Sequence, residues 1–214
     1  MKVVFLGDIV GRPGRKVVQE YLPEIIRKYT PDLTVANGEN AAGGFGLTLE
    51  VATELLQNGV DVITLGNHTW KHKEINQVLE RYKQILRPVN FPPGTPGEGA
   101  GLFVARNGYP VGVISLMGQV YLEPALDCPF RVGREKVSLL KQKTPYILVD
   151  FHAEATSEKA ALGHYLDGLA SAVVGTHTHV ATADQRILSG GTGFITDVGM
   201  CGPVDSVLGV KKEL

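Results

Sequence analysis

Five short apolar runs, at residues 3–6, 33–36, 60–65, 146–149 and 171–174, each give way at once to a turn carrying Asp, Glu, Asn or His. No other feature of the chain restricts its fold as tightly. An apolar run of this length, closed by a polar turn, reads as a buried strand. Helical stretches separate the runs. Residues 15–29 place Val17, Val18, Tyr21, Leu22, Ile25 and Ile26 at helical spacing, and Pro31 stands where a helix has to stop. Residues 47–58, 71–82, 131–143 and 157–169 read as further helices. Buried strands alternating with helices predict parallel βαβ units, hence an α/β class.

The middle of the chain changes character. Residues 87–101 carry four prolines and four glycines, which is loop chemistry. Runs 102–106 and 111–116 flank Asn107-Gly108, a strong hairpin signal, and residues 181–195 read as a second hairpin around Gly190-Gly191. The prediction is one mixed α/β domain over residues 1–214, long enough to bury a core without staples. A net charge of -1 supplies no basic field and excludes binding to bulk nucleic acid. The apolar runs are too short for a membrane span or a secretory signal, so no membrane partner is expected. Cys128 and Cys201 lie far apart without a Cys-x-x-Cys unit, which excludes a zinc finger and reads as two buried, reduced thiols.

The chemistry sits in the turns. Gly7-Asp8 follows the first run, Asn37-Gly38-Glu39-Asn40 the second, Gly66-Asn67-His68 the third, Asp150-Phe151-His152 the fourth, and Gly175-Thr176-His177-Thr178-His179 the fifth. Ligands of open α/β sheets bind beyond the carboxyl ends of the strands, so these residues are expected to converge. Asp8, Glu39, Asn40, Asn67, His152, His177 and His179 form a mixed oxygen and nitrogen set without thiolate, suited to iron, manganese or zinc. They exceed what one tetrahedral ion needs and match two ions sharing a carboxylate, with Glu39 the natural bridge. Two such ions leave a net positive site that draws a phosphodiester and can hold a hydroxide nucleophile. His68, beside Asn67, points away from the ligands and is placed to protonate a leaving alcohol. On an extended segment His177 and His179 fall on one face. Asp150, Glu154 and Asp197 read either as groups orienting ligand histidines or as caps and turns. His72 and His164 lie in helical stretches and read as structural.

These blocks resemble the calcineurin-like metallophosphoesterase superfamily, and within it the YmdB-type phosphodiesterases. The matching blocks are residues 7–14, 36–44, 64–70, 150–159 and 174–180, five in order along nearly the whole chain. The resemblance implies a four-layer α/β/β/α sandwich of mixed sheets with a di-metal centre. It implies that Asp8, Glu39 and His179 hold one ion, that Glu39, Asn40, Asn67, His152 and His177 hold the other, and that His68 donates a proton. It further implies iron or manganese, hydrolysis of cyclic nucleotides such as 2′,3′-cyclic AMP at the 2′ bond, a cytoplasmic location and a homo-oligomer. Two positions depart from the wider superfamily. Val10 stands where a His is usual, and Glu39-Asn40 replace an Asp and a later Asp-Arg. Both suit the YmdB-type branch and remove one ligand from the Asp8 ion. Relatives of that branch continue past Leu214, so the sequence reads as a shortened chain or a short member.

Other classes fare worse. Gly7, Gly11 and Gly14 do not fit a Gly-x-Gly-x-x-Gly dinucleotide turn, and no Walker A or Gly-x-Ser-x-Gly motif occurs. The alternative that survives is a metal-binding nucleotide or RNA regulator with little catalysis.

Overall fold

The computed structural model describes residues 1–124, 126–210 and 212–213; Leu214 lies outside them. In chain order the first half runs β1 (Val3–Leu6), β2 (Asp8–Ile9), α1 (Gly11–Tyr29), β3 (Leu33–Asn37), α2 (Leu49–Gln57), β4 (Val62–Thr64), α3 (Ile75–Arg81) and β5 (Ile85–Leu86). The second half runs β6 (Ala100–Val104), β7 (Pro110–Met117), α4 (Pro129–Lys141), β8 (Ile147–His152), α5 (Thr156–Tyr165), β9 (Ala172–Thr176), β10 (Arg186–Ile187), β11 (Gly193–Ile195) and β12 (Met200–Cys201).

The fold is mixed α/β. A four-stranded sheet in the order β1-β3-β4-β5 is parallel throughout. A six-stranded sheet in the order β10-β11-β9-β8-β7-β6 is parallel in its middle and antiparallel at both edges. The β6–β7 edge is the hairpin expected at Asn107-Gly108, and Asn107 Oδ1 closes its turn by accepting from the Tyr109 N–H at 3.1 Å. The hairpin expected over 181–195 is real but narrower, limited to β10 and β11. A pairing without a sequence signal joins β12 to β2 in parallel.

Local chemistry sets the element ends. The Gly11-Pro13-Gly14 segment, expected to be a turn before residue 15, is instead the first turn of α1. Proline costs nothing there, because the first N–H groups of a helix have no partner within it. At the other end Thr30 adopts φ 45° and returns its N–H to Ile26 O, with Pro31 next. Thr48 caps α2, its hydroxyl accepting from Val51 N–H at 3.3 Å.

Three apolar clusters hold these elements. Val18, Leu22, Ala36, Leu55, Ile63, Val78 and Ile85 join α1, α2 and α3 to one face of the four-stranded sheet. Ile114, Val137, Val149, Phe151, Leu162 and Val173 join α4 and α5 to one face of the six-stranded sheet. Leu33, Val35, Val62, Leu86, Val111, Val113 and Leu148 belong to both sheets and pack together. Strand side chains alternate faces, so this last set continues two residues further along each strand. Val35 is followed by Asn37, Val62 by Thr64, Leu148 by Asp150 and His152, and Val174 by Thr176. All of these followers are fully buried. The row that is apolar at one end of the sheets is therefore polar at their carboxyl ends.

Asp150 and His152 thus lie inside β8, which runs past residue 149, rather than in a turn beyond it. The expectation of two buried thiols is corrected as well: Cys128 is exposed and Cys201 half-buried. Gly175 is a point of close approach, since a Cβ there would drive into the carbonyl of Thr196. Gly175→Ala is expected to lower stability by about 1–3 kcal/mol, read as a lower urea midpoint at unchanged slope.

Candidate metal centre

The carboxyl ends of β1, β3, β4, β8 and β9, with the residues that follow them, meet at one spot, and Glu39 is at its centre with no exposure. Its Oε1 lies 3.1 Å from His152 Nε2 and 3.3 Å from His68 Nδ1. Its Oε2 accepts the His68 N–H at 2.9 Å. Burial alone would push this carboxyl up, but the charge and hydrogen bonds of His152 and His68 outweigh it and hold Glu39 well below its usual range. Glu39 is therefore a carboxylate.

Around it lie two groups of donors. In the first, His152 Nε2 also meets Asn67 Oδ1 at 2.9 Å and His177 Nδ1 at 3.1 Å. Ligand atoms of Glu39, His152 and His177 all lie within 4.8 Å of one another. In the second, Asn40 Nδ2 faces Asp8 Oδ1 at 3.3 Å, Glu39 Oε1 at 3.2 Å and His179 Nε2 at 3.1 Å. His179 Nε2 is 3.6 Å from Asp8 Oδ1.

Counting protons shows what this arrangement suits. A neutral imidazole Nε2 carries at most one hydrogen, yet three lone-pair atoms converge on it. An amide NH2 carries two, and three acceptors surround it. Lone pairs outnumber hydrogens in both groups, which is the condition a cation resolves. The donors fit a metal of the iron, manganese or zinc kind.

Each ligand is held from behind. His152 Nδ1 lies 2.9 Å from Thr176 Oγ1, whose own hydrogen goes to Asp150 Oδ1 at 2.8 Å. Thr176 must then accept from His152 Nδ1–H, which leaves Nε2 facing the centre. Burial works against a charge on this ring, but the Glu39 carboxylate beside it raises it to about 9, so Nε2 carries the one hydrogen counted above until a cation takes its place. Asp150 also takes Thr64 Oγ1 at 2.5 Å and Asn37 Nδ2 at 3.0 Å. Burial raises its carboxyl to about 6 despite these contacts and the charge of His152. Asp150 orients a histidine, but through Thr176 rather than directly. Glu154 touches its histidine: its Oε2 is 3.1 Å from His177 Nε2. His177 is pushed down to about 4, first by burial and then by the charge of His152, so its ring stays neutral. His179 donates from Nδ1 to Leu208 O at 2.9 Å.

Two expectations are corrected. His177 and His179 do not share an extended face; their φ angles are 104° and 66°, and the left-handed backbone sends one ring to each donor group. His72 is not helical but sits in the turn before α3, its Nε2 donating to Phe45 O at 2.8 Å. Asn37, Thr64 and Thr176 are support residues that the turn motifs do not single out. The signal for them is the strand period, two residues beyond Val35, Val62 and Val174.

This frame and this oxygen and nitrogen set are those of a phosphoesterase, a class that works with divalent metal. The chain belongs to the YmdB-like protein family, whose model matches residues 4–214. It is 54% identical over 213 residues to the 2′,3′-cyclic-nucleotide 2′-phosphodiesterase of Bacillus subtilis, covering all of this chain and 80% of that one. Among solved structures, a hypothetical protein from Thermus thermophilus superposes with a TM-score of 0.93 at 47% identity, covering 100% of this chain and 82% of the other. A phosphatase from Mycoplasma pneumoniae does so at 0.92 and 39%, covering 100% and 77%. The Thermus thermophilus thiohydrolase SoxB, at 0.60 and 14% identity, shares the fold. The relationship makes this chain an enzyme of the phosphodiesterase class. No helix among the described residues is long and apolar enough to cross a membrane.

Behind the centre, Asp197 Oδ2 accepts from the buried Lys159 Nζ at 2.7 Å and from Thr178 Oγ1 at 2.8 Å. Asp197 therefore braces the turn between the two histidines instead of contacting either. Asp197→Ala strands a buried ammonium and is expected to cost about 3–5 kcal/mol in chemical denaturation. Replacing Asp197 and Lys159 together by apolar residues of similar size is expected to cost much less.

Proposed function

We propose that this chain is a di-metal phosphodiesterase that hydrolyses cyclic nucleotides, 2′,3′-cyclic AMP among them, at the 2′ bond. One observation carries the reading: at the carboxyl ends of the strands, lone pairs converge in excess of the hydrogens available to them. Asp8, Glu39 and His179 would hold one ion, and Glu39, Asn67, His152 and His177 the other, with Glu39 reaching both. The contacts of Asn40 with Asp8 and His179 support it on the first ion, whereas the resemblance implies the second. Iron or manganese suits the donors. When bound, the ions supply the positive charge that draws a phosphodiester anion and the acidity that readies a water for attack. Glu39 stays ionised throughout, and the neutral ring of His177 keeps a lone pair toward the centre. His68 Nδ1 faces Asn40 Oδ1 at 2.7 Å, so that nitrogen carries a hydrogen. When the ring is also protonated on Nε2, that second proton would pass to the leaving 2′ oxygen and the ring would be left neutral.

The name of the Bacillus subtilis relative supports the substrate class. The three apolar clusters support reading the fold as a four-layer α/β/β/α sandwich forming a single domain over residues 1–214. A cytoplasmic location and a homo-oligomer belong to the same proposal and rest on the family alone.

The test is elemental analysis beside a panel of 2′,3′- and 3′,5′-cyclic nucleotides. About two metal equivalents per chain are expected, with turnover lost on chelation and regained on reloading. His68→Ala is expected to lower kcat by about 10²–10⁴-fold while retaining metal. A chelated chain that still turned over would refute the proposal. A loaded chain that hydrolysed none of the panel would be a binding module instead. Thr176→Val, which removes the hydroxyl between Asp150 and His152, is expected to weaken metal binding by about 10–100-fold in a competition titration.

A further inference from the structure

The donors at the strand ends leave one part of the same opening without a role. A cavity of about 730 Å³ opens onto Glu39, His68, His177 and His179, and the rest of its lining is largely apolar, with Phe45 prominent. Phe45 is 56% exposed. It is nonetheless firmly placed. Its ring stands at 83° to that of His68, with centroids 5.0 Å apart. Its carbonyl accepts from His72 Nε2 at 2.8 Å, and the loop beneath it is closed by Ala42 N–H on Gly46 O at 3.0 Å. Gly43, Gly44 and Gly46 take φ angles of 68°, 100° and 76°. Side chains avoid that region of backbone space, so the loop is shaped to lift one aromatic ring to the mouth of the centre. Leaving a phenylalanine in water buries nothing; a flat apolar ligand would recover that loss.

Resting on the activity proposed above, we infer that Phe45 is the platform on which the substrate's base stacks, and that the site selects a base by its face rather than its edge. His68, the proton donor, lies between Phe45 and Glu39. An ester seated over Glu39 has Phe45 within reach of its base, and Phe45 is the one aromatic ring among the described residues lining the cavity outside the histidines. Among the described residues lining the cavity, the polar side chains outside the donor set are Glu154 and Thr178. Both are engaged, Glu154 with His177 and Thr178 with Asp197. No side chain among these described lining residues, outside the donor set and His68, is left free to read the hydrogen-bonding edge of a base. Stacking is indifferent to that edge, because every base offers a π-face. The specificity inferred is thus for an aromatic base of any identity, with purines ahead by size.

The experiment compares kcat/KM for 2′,3′-cyclic AMP with that for ribose 2,3-cyclic phosphate, which lacks the base. Phe45→Ala is expected to reduce this ratio about tenfold. Phe45→Trp should preserve it, and Phe45→Leu, apolar but without a π-face, should behave as the alanine variant does. Calorimetry with adenosine 3′-monophosphate against ribose 3-phosphate should show the same change in the ratio of Kd values, without need of turnover. A ratio unmoved in Phe45→Ala, or fully restored in Phe45→Leu, overturns the inference. So does a spread beyond about a hundredfold among the four 2′,3′-cyclic nucleotides. If neither ester is hydrolysed the activity reading fails by itself, and the calorimetric ratio still decides the role of Phe45.

Discussion

A carboxylate sealed from water has to be neutralised by its neighbours, and the carboxyl ends of both sheets are organised around one such group, Glu39. An isolated buried anion costs many kcal/mol, so its partners cannot be left to chance. They are nitrogen bases drawn from both halves of the chain, His68 from the turn after β4 and His152 from β8. Asp150, in the same inward row, is equally buried and behaves in the opposite sense. Its close partners are hydroxyls and an amide, and burial carries it up to about 6 against their hydrogen bonds and the more distant charge of His152. Two buried acids at one end of the sheets thus shift in opposite directions, because one is met directly by two histidines and the other by hydroxyls and an amide.

Much of this is legible in the sequence because alternation of apolar runs and polar turns is a local signal. The strands around Val35, Ile63 and Val149, the Asn107-Gly108 hairpin and the convergence of Asp8, Glu39, Asn40, Asn67, His152, His177 and His179 follow from it. Boundaries are less legible. α1 absorbs Gly11-Pro13-Gly14 because proline is harmless in a first helical turn, and β8 absorbs Asp150 and His152 because partners waiting across the row satisfy polar side chains there. Spacing cannot reveal that His177 and His179 use left-handed backbone, since a His-x-His pair looks the same in either conformation. Nor can it reveal Thr176 as the link from Asp150 to His152; a threonine among strand residues is ordinary until its two neighbours are known.

The position of Val10 shows how family and geometry agree. The resemblance to the wider superfamily implies a histidine there, whereas here Val10 is buried and lines the apolar part of the cavity. What this position withholds from the Asp8 side in ligand chemistry it contributes to the wall beside Phe45. One substitution type therefore shifts the balance of the opening from holding ions toward holding an apolar group.

The short pairing of β2 with β12 has a consequence for how such a chain acquires its centre. It ties Asp8 to Met200, and the Asp8 carboxylate also accepts the backbone N–H of His177, 169 residues away. Contacts of that span form late, because the closure entropy of a long loop must be met before they can reward it. A fragment that stops short of residue 177 therefore carries Asp8, Glu39, Asn67 and His152 without the two histidines and the β12 pairing that draw the N-terminal carboxylate into place.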